Sequence, residues 1–146
     1  MSRTLRVRGS LLLSSLVSAA ACAAHVAADP VRIGPCEAGD TALVRDVLYF
    51  GRNRPDGGTV SDVEWHTFLD SVVAPRFPAG FTVVEASGQW KGHSGQVERE
   101  QAEVLTLLHP GDDPARRAVE EVAAEYKRRF HQEAVLRERT PACTRF

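Results

Sequence analysis

The order of the predicted elements, which is strand, helix, strand, strand, helix, strand, indicates an α+β fold. Two apolar stripes at helical spacing follow N-cap signals at Ser61 and Asp113, and strand-forming runs lie on either side of each stripe. A glycine-rich segment over 92–95 joins the two middle strands as a hairpin. This is the split βαβ pattern, so we expect a ferredoxin-like fold with a four-stranded antiparallel sheet and two helices on one face.

The first strand is predicted over 41–52. Leu48 and Phe50 fall on one face and Val47 and Tyr49 on the other, because successive side chains in a strand alternate. Apolar residues on both faces predict a central strand that is covered on both sides. Gly51 and the turn-forming run over 53–58 favour backbone conformations that a regular strand does not adopt, so the strand is expected to end there.

The first helix begins after Ser61, which forms a capping box with Glu64 three residues later. Pro75 and Pro78 end the helix, because proline cannot continue the hydrogen-bond ladder. One apolar face with helical periodicity lies between these signals and consists of Trp65, Phe68, Leu69, Val72 and Val73.

The second half of the chain repeats the pattern. Strands are predicted over 81–91 and 96–109, and the first half of the latter is polar. Asp113 followed by Pro114 predicts an N-cap with proline at the first helical position. A last strand is predicted over 134–139, and the remaining residues form a tail that carries Cys143.

The N-terminal 28 residues have the three parts of a secretory signal: a basic stretch, an apolar run over 11–17 and a run of small residues. Cleavage before Asp29 fits this pattern. The alternative is a lipobox-like sequence over 19–22, in which the signal ends at residue 21 and Cys22 is lipidated. Residues 29–40 are then an N-terminal arm and 41–146 a single α+β domain. We expect an exported protein, periplasmic or extracellular.

Charge excludes one class of partner. Without residues 1–28 the chain keeps 15 basic and 19 acidic residues, a net charge of about −4. Because phosphate neutralisation needs a clustered basic face, we expect no nucleic-acid partner. A membrane would be bound only through the lipid anchor.

Cysteine placement predicts one disulfide. Cys22 leaves with the signal or carries the lipid, so Cys36 and Cys143 remain at opposite ends of the domain. In an exported protein two such cysteines are expected to pair.

Six short stretches resemble the secreted bacterial family catalogued as domain of unknown function 3574. They are LYFGR at 48–52, VSDVEW at 60–65, PRFPAG at 75–80, GQW at 88–90, YKRRF at 126–130 and PAC at 141–143. The resemblance covers nearly all of the mature chain. It implies export and a compact α+β domain, and it implies no reaction or catalytic residues.

Most motifs that could carry chemistry have a structural explanation. The histidines lack metal-ligand spacing and no Cys-x-x-Cys or cofactor loop occurs, so we expect neither metal nor cofactor. Ser87 and Ser94 precede glycines without forming a Gly-x-Ser-x-Gly elbow. The glycine pair at 57–58 could hold an anion with Arg52 and Arg54, but acidic residues already use that helix N-terminus.

A candidate ligand site remains, formed by Tyr49, Arg52, Gln89, Trp90 and His109. If the first three strands are neighbours, these residues meet at one end of the sheet as an aromatic wall with a cation and amides. The competing interpretation makes Tyr49 and Trp90 core or interface aromatics.

Two functions follow from this pattern. The first is a non-catalytic binding or interaction module of the cell envelope, because every strong motif already has a folding explanation. The alternative is a small-molecule enzyme or ligand binder with a cleft at one end of the sheet. A homodimer through the open sheet face is also expected, because an uncovered face would expose a large apolar patch.

Overall fold

The computed structural model describes residues 36–92 and 95–145. The predicted export signal, Cys22, most of the N-terminal arm and the hairpin residues His93 and Ser94 lie outside the described residues. Within the described part, no helix is long and apolar enough to cross a membrane.

Four strands and two helices follow in the predicted order. They are β1 (Thr41–Gly51), α1 (Asp62–Phe68), β2 (Thr82–Lys91), β3 (Val97–His109), α2 (Asp113–Phe130) and β4 (Leu136–Thr144), and α1 continues as a π-helix over Leu69–Val73. The sheet order is β2-β3-β1-β4, with every neighbouring pair antiparallel. The predicted ferredoxin-like α+β fold is therefore confirmed.

The core lies between the helices and one face of the sheet. Leu48 and Phe50 of β1 are fully buried there, together with Leu105 and Leu107 of β3. The predicted apolar stripe of α1 packs against them, and so do Val119, Val122, Tyr126 and Phe130 of α2. Both helices thus cover the same sheet face, as predicted.

The capping box at the start of α1 is confirmed. The Ser61 hydroxyl accepts a hydrogen bond from the Glu64 amide at 3.3 Å, and the Ser61 amide donates to the Glu64 carboxylate at 2.9 Å. Val60 and Trp65, on either side of the cap, are both buried. The loop that leads into α1 is therefore attached to the core at its C-terminal end.

Two boundaries differ from the predicted ones in a way that changes the role of a residue, and other strand ends differ by one or two residues. The N-cap of α2 is Asp112, not Asp113, because the extended backbone of Asp112 lets its carboxylate accept from the Ala115 amide at 2.9 Å. Strand β4 reaches Thr144, so Cys143 lies in a strand and not in a tail. Pro141 is accommodated because β4 is an edge strand, which does not need every N–H for pairing.

The predicted disulfide is confirmed. Cys36 and Cys143 are bonded, with their Cα atoms 5.5 Å apart. Since Cys143 pairs with Ala42 at the start of β1, the bond fastens the arm to that end of the sheet.

The sheet face away from the helices carries Val47 and Tyr49, as the alternation in β1 predicts. Val84 and Leu108 on this face are 56% and 40% exposed. The homodimer expected through this face stays a prediction, which light scattering of the purified domain would check.

Candidate functional site

A pocket of about 280 Å³ opens on the sheet face away from the helices, at the end where β1 and β2 finish. Its walls come from all four strands, from the loop after β1 and from the connection between α2 and β4. The lining consists of Tyr49, Gly51, Asn53, Arg54, Pro55, Gly88, Gln89, Trp90, Glu98, Glu100, Ala102, Gln132, Glu133, Ala134 and Leu136.

Strand alternation explains why small residues form the floor. Gly51 pairs with Ala102 across β1 and β3, and Gly88 of β2 pairs with Glu100 of β3. Directly opposite residues in an antiparallel pair share a face, so Gly51, Ala102 and Gly88 all face the pocket. Their lack of bulk leaves a shallow hollow on the sheet.

Aromatic and aliphatic side chains border this hollow. Trp90 follows Gly88 by two residues, so it stands on the same face, and it is 41% exposed. Tyr49 and Leu136 are paired across β1 and β4 on the opposite side of the hollow. A ligand entering the pocket would therefore meet an indole on one side and a phenol on the other.

Gly88 has no conformational reason to be glycine. It lies inside a strand, where glycine is disfavoured, and it is not among the glycines with positive φ. A Cβ at this position would meet no atom within 4 Å. A glycine inside a strand often marks a place where a ligand or another backbone comes close, and the open space above Gly88 belongs to the pocket.

Three carboxylates belong to the lining, and glycines make room for two of them. A Cβ on Gly51 would lie 2.5 Å from Oε2 of Glu100, so that carboxylate occupies the space beside the glycine. The Asn53 amide donates to the same oxygen at 3.2 Å. A Cβ on Gly92 would lie 3.2 Å from Oε2 of Glu133 and 3.9 Å from the Trp90 indole nitrogen, so both side chains lie close to this glycine.

Hydrogen bonds hold the loop side of the pocket. The Gln132 side-chain amide donates to the Asn53 carbonyl at 2.6 Å, which joins the α2–β4 connection to the loop after β1. Arg54 forms an ion pair with Glu64 at 2.6 Å and lies over the Phe130 ring. The loop is therefore fixed to both helices.

Acidification is expected to destabilise this attachment through Glu64. Hydrogen bonds from the Ser61 amide and hydroxyl, and then from Arg54, lower the pKa of Glu64 from 4.5 to about 2. A carboxyl with a lowered folded pKa contributes stability that is complete above its unfolded pKa and lost as pH falls through the folded pKa. The melting temperature should therefore fall as pH decreases from 4.5 to 2.

Thermal melts across that pH window check the expectation. Glu64→Gln should show a weaker pH dependence than the wild type. Asp70→Asn, which removes an exposed carboxylate in the π-helix that continues α1, is the matched control and should behave as the wild type does. Equal slopes in all three proteins would contradict the role of Glu64.

Three of the five residues of the sequence-based candidate site line the pocket: Tyr49, Gln89 and Trp90. The Tyr49 hydroxyl donates to Glu138 at 3.1 Å. This hydrogen bond raises the pKa of Tyr49. The assignment of these residues to ligand binding stays a prediction, and the structure supplies their proximity.

Arg52 does not line the pocket. It continues the alternation of Phe50 and points to the helix side, where its guanidinium donates to the Val60 carbonyl at 2.8 Å. It also pairs with Asp62 at 2.6 Å and with the buried Glu103 at 3.1 Å. Burial raises the pKa of Glu103. Arg52 thus joins the start of α1 to the sheet.

His109 also lies on the helix side, at the other end of the sheet, because it pairs with Val44. It is 4% exposed, and its Nδ1 accepts a hydrogen bond from the Gly111 amide at 3.0 Å. The ring proton is therefore on Nε2, which donates to Asp46 at 2.7 Å.

Asp46 is fully buried and also accepts two hydrogen bonds from Arg137, at 2.7 and 2.9 Å. Burial by itself raises the pKa of Asp46, but the hydrogen bonds from Arg137 and His109 outweigh it and lower that pKa. Sequence reasoning missed this cluster, although an aspartate on the apolar face of β1 was a visible signal for it.

Sequence reasoning also missed the three pocket carboxylates and Gly88. The available signals were a glycine inside a predicted strand and a polar first half of β3. Within residues 36–92 and 95–145, no hydrogen bond joins Ser87 to a histidine or a carboxylate, and Ser94 lies outside these ranges. Arg52 and Arg54 of the anion hypothesis are paired with acidic side chains. Among the described residues, no group of three His, Cys, Asp or Glu side chains could hold a metal ion.

Comparison with known proteins gives a family and a fold. The family model described as "Protein of unknown function (DUF3574)" matches residues 45–146. Among curated proteins, none matches this sequence. A phage SAM lyase in complex with S-methyl-5′-thioadenosine is similar with a TM-score of 0.55 and 15% identity, over 79% of this chain and 96% of that chain.

The apo state of the phage enzyme is similar with a TM-score of 0.53 and 15% identity, over 79% of this chain and 97% of that one. CutA from Synechococcus elongatus has a TM-score of 0.42 and 14% identity, over 72% and 80% of the two chains. At 15% identity, the likeness to the phage enzyme shows the fold alone. The TM-score of 0.42 with CutA is too low to support a conclusion.

Proposed function

Because this chain belongs to the family described as "Protein of unknown function (DUF3574)", whose description assigns no ligand, we propose from its own pocket that the domain binds a small organic molecule. The membership predicted from the six motifs is thereby confirmed. The pocket at the end of the sheet corresponds to the cleft of the alternative function that the sequence offered.

The observation that carries the proposal is Gly88 beside Trp90. A glycine inside a strand weakens the strand, and nothing in the protein fills the space that its side chain would occupy. The indole next to it is a large apolar surface left 41% exposed. Both features are explained if a flat molecule lies on the glycine floor against Trp90.

The pocket also has the composition of a small-molecule site. Apolar side chains and small residues provide contact area, and a few polar groups at the rim provide orientation. The phage SAM lyase of similar fold binds S-methyl-5′-thioadenosine in its solved complex. We use that nucleoside as one probe among others, since the likeness extends to the fold alone.

A metabolite screen by thermal shift tests the proposal, with Gly88→Val as the decisive variant. The valine side chain would fill the floor of the pocket and should abolish saturable binding. It should not lower the melting temperature, because valine is a better strand former than glycine. This combination separates loss of the pocket from loss of the fold.

Ser87→Val is the matched control. Ser87 precedes Gly88 in β2 and points to the other face of the sheet, so the same residue is introduced outside this pocket. It should leave binding unchanged. If Gly88→Val also bound every hit with wild-type affinity, the pocket would not be the site and the proposal would be wrong.

We further propose that the domain acts outside the cytoplasm, as a binding module of the cell envelope. The basic and apolar N-terminal segments and the disulfide support this location. Cell fractionation of the full chain is the direct check, and accumulation of the uncleaved chain in the cytoplasm would contradict it.

A further inference from the structure

The charge of the pocket points to the class of its ligand. Among the described residues, the pocket lining contains the carboxylates Glu98, Glu100 and Glu133 and one cationic side chain, Arg54. The charge of Arg54 is already paired with Glu64, which lies outside the lining. Glu98 and Glu100 therefore give the described part of the lining a net negative charge.

Two of these carboxylates are held in place. The Glu100 carboxylate occupies the space beside Gly51. It accepts a hydrogen bond at 3.2 Å from the backbone amide of Asn53, in the loop that follows β1. Glu133 lies beside Gly92, where a Cβ would be 3.2 Å from its Oε2. Glu98 is opposite Trp90 across β2 and β3, on the same face. All three residues belong to the pocket lining.

The aromatic walls favour the same charge. The faces of indole and phenol rings carry negative electrostatic potential and attract cations. Trp90 and Tyr49 are the two aromatic residues of the lining. An anion would face the carboxylates of Glu98 and Glu100 and two aromatic rings, so electrostatics disfavours it.

We propose that the pocket selects a flat organic cation, such as a heteroaromatic ring with a quaternary nitrogen. The ring lies on Gly88 against Trp90, and its positive charge faces Glu98 and Glu100. This inference rests on the proposed small-molecule function and adds the charge of the ligand to it.

The test compares two probes of the same shape. 1-Methylnicotinamide is a flat cation, and 3-methylbenzamide is its neutral isostere, in which carbon replaces the charged nitrogen. Titration calorimetry of the wild-type protein should give an affinity for the cation at least about tenfold higher than for the isostere. Added salt should weaken binding of the cation more than binding of the isostere.

Two variants connect the preference to the carboxylates. Glu98→Gln combined with Glu100→Gln keeps the shape of the pocket and should remove most of the preference. Gly51→Ala keeps every charge but forces the Glu100 carboxylate to move, so it should also reduce the preference. Glu120→Gln, an exposed carboxylate on α2, is the control and should bind as the wild type does.

The outcomes separate this inference from the proposed function. Equal affinity for both probes, or a preference unchanged in the glutamine double variant, overturns the cation inference. If neither probe binds while the screen yields a neutral or anionic ligand sensitive to Gly88→Val, the inference also fails and the proposed function holds. If no compound binds in a Gly88-dependent manner, both are wrong.

Discussion

Replacement of Cys36 and Cys143 by serine is expected to lower the free energy of unfolding by about 4 to 5 kcal/mol. The bond joins residues 107 positions apart, so its removal lets the unfolded chain explore many more conformations. In the chain-entropy model, a loop of this length gives an effect of that size. Urea unfolding of the wild type and of the double variant measures the difference.

The same variant should still bind ligand. Cys143 pairs with Ala42 at the start of β1, whereas Tyr49 and Gly51 of the pocket lie at the end of β1. Loss of stability with unchanged affinity is therefore the expected pair of results. A loss below about 1 kcal/mol would show that the entropic argument fails for this bond.

Trp65→Ala is expected to lower the free energy of unfolding by about 3 to 5 kcal/mol. Trp65 is 3% exposed, and its ring lies 5.4 Å from the Phe50 ring, 5.7 Å from the Phe68 ring and 6.0 Å from the Tyr126 ring. Truncation leaves a cavity at the point where α1, α2 and β1 meet. Urea unfolding followed by circular dichroism measures the loss without relying on tryptophan emission.

Val63→Ala is the matched control for this prediction. It lies in the same helix but is 76% exposed, so the change should stay within about 0.5 kcal/mol. Similar losses in the two variants would mean that helix propensity, and not core packing, determines the effect.

Trp90→Ala should affect ligand binding more than stability, because Trp65 is buried whereas Trp90 is 41% exposed.

Local patterns were sufficient for most of the fold. The capping box at Ser61 and the stripe containing Trp65 depend only on residues a few positions apart, and both are present in the structure. The two boundary errors occurred where local sequence was ambiguous. Asp112 and Asp113 can each cap a helix, and only the backbone conformation decides between them. The last strand was predicted to end at Arg139, and only its place at the sheet edge shows how it continues through Pro141.

The sequence predicted only part of the candidate site, because strand pairing decides which side chains share a face. Tyr49 and Trp90 stand on the same face once β1, β2 and β3 are neighbours, and the structure brings them to one pocket. Arg52 and His109 are separated from them because both point to the helix side. The position of His109 depends on its pairing with Val44, which no local pattern reveals.

By itself, the sequence determined the order of elements, the buried faces of α1 and β1, and the pairing of Cys36 with Cys143. Each of these depends on spacing within one element or on the small number of cysteines. Only the tertiary structure decided that Glu100 and Glu133 share a pocket with Trp90. Strand register places Glu100 close to Gly51, and the path of the α2–β4 connection brings Glu133 to the same pocket. Both result from packing of the whole sheet, because residues far apart in the chain become neighbours only when strands align.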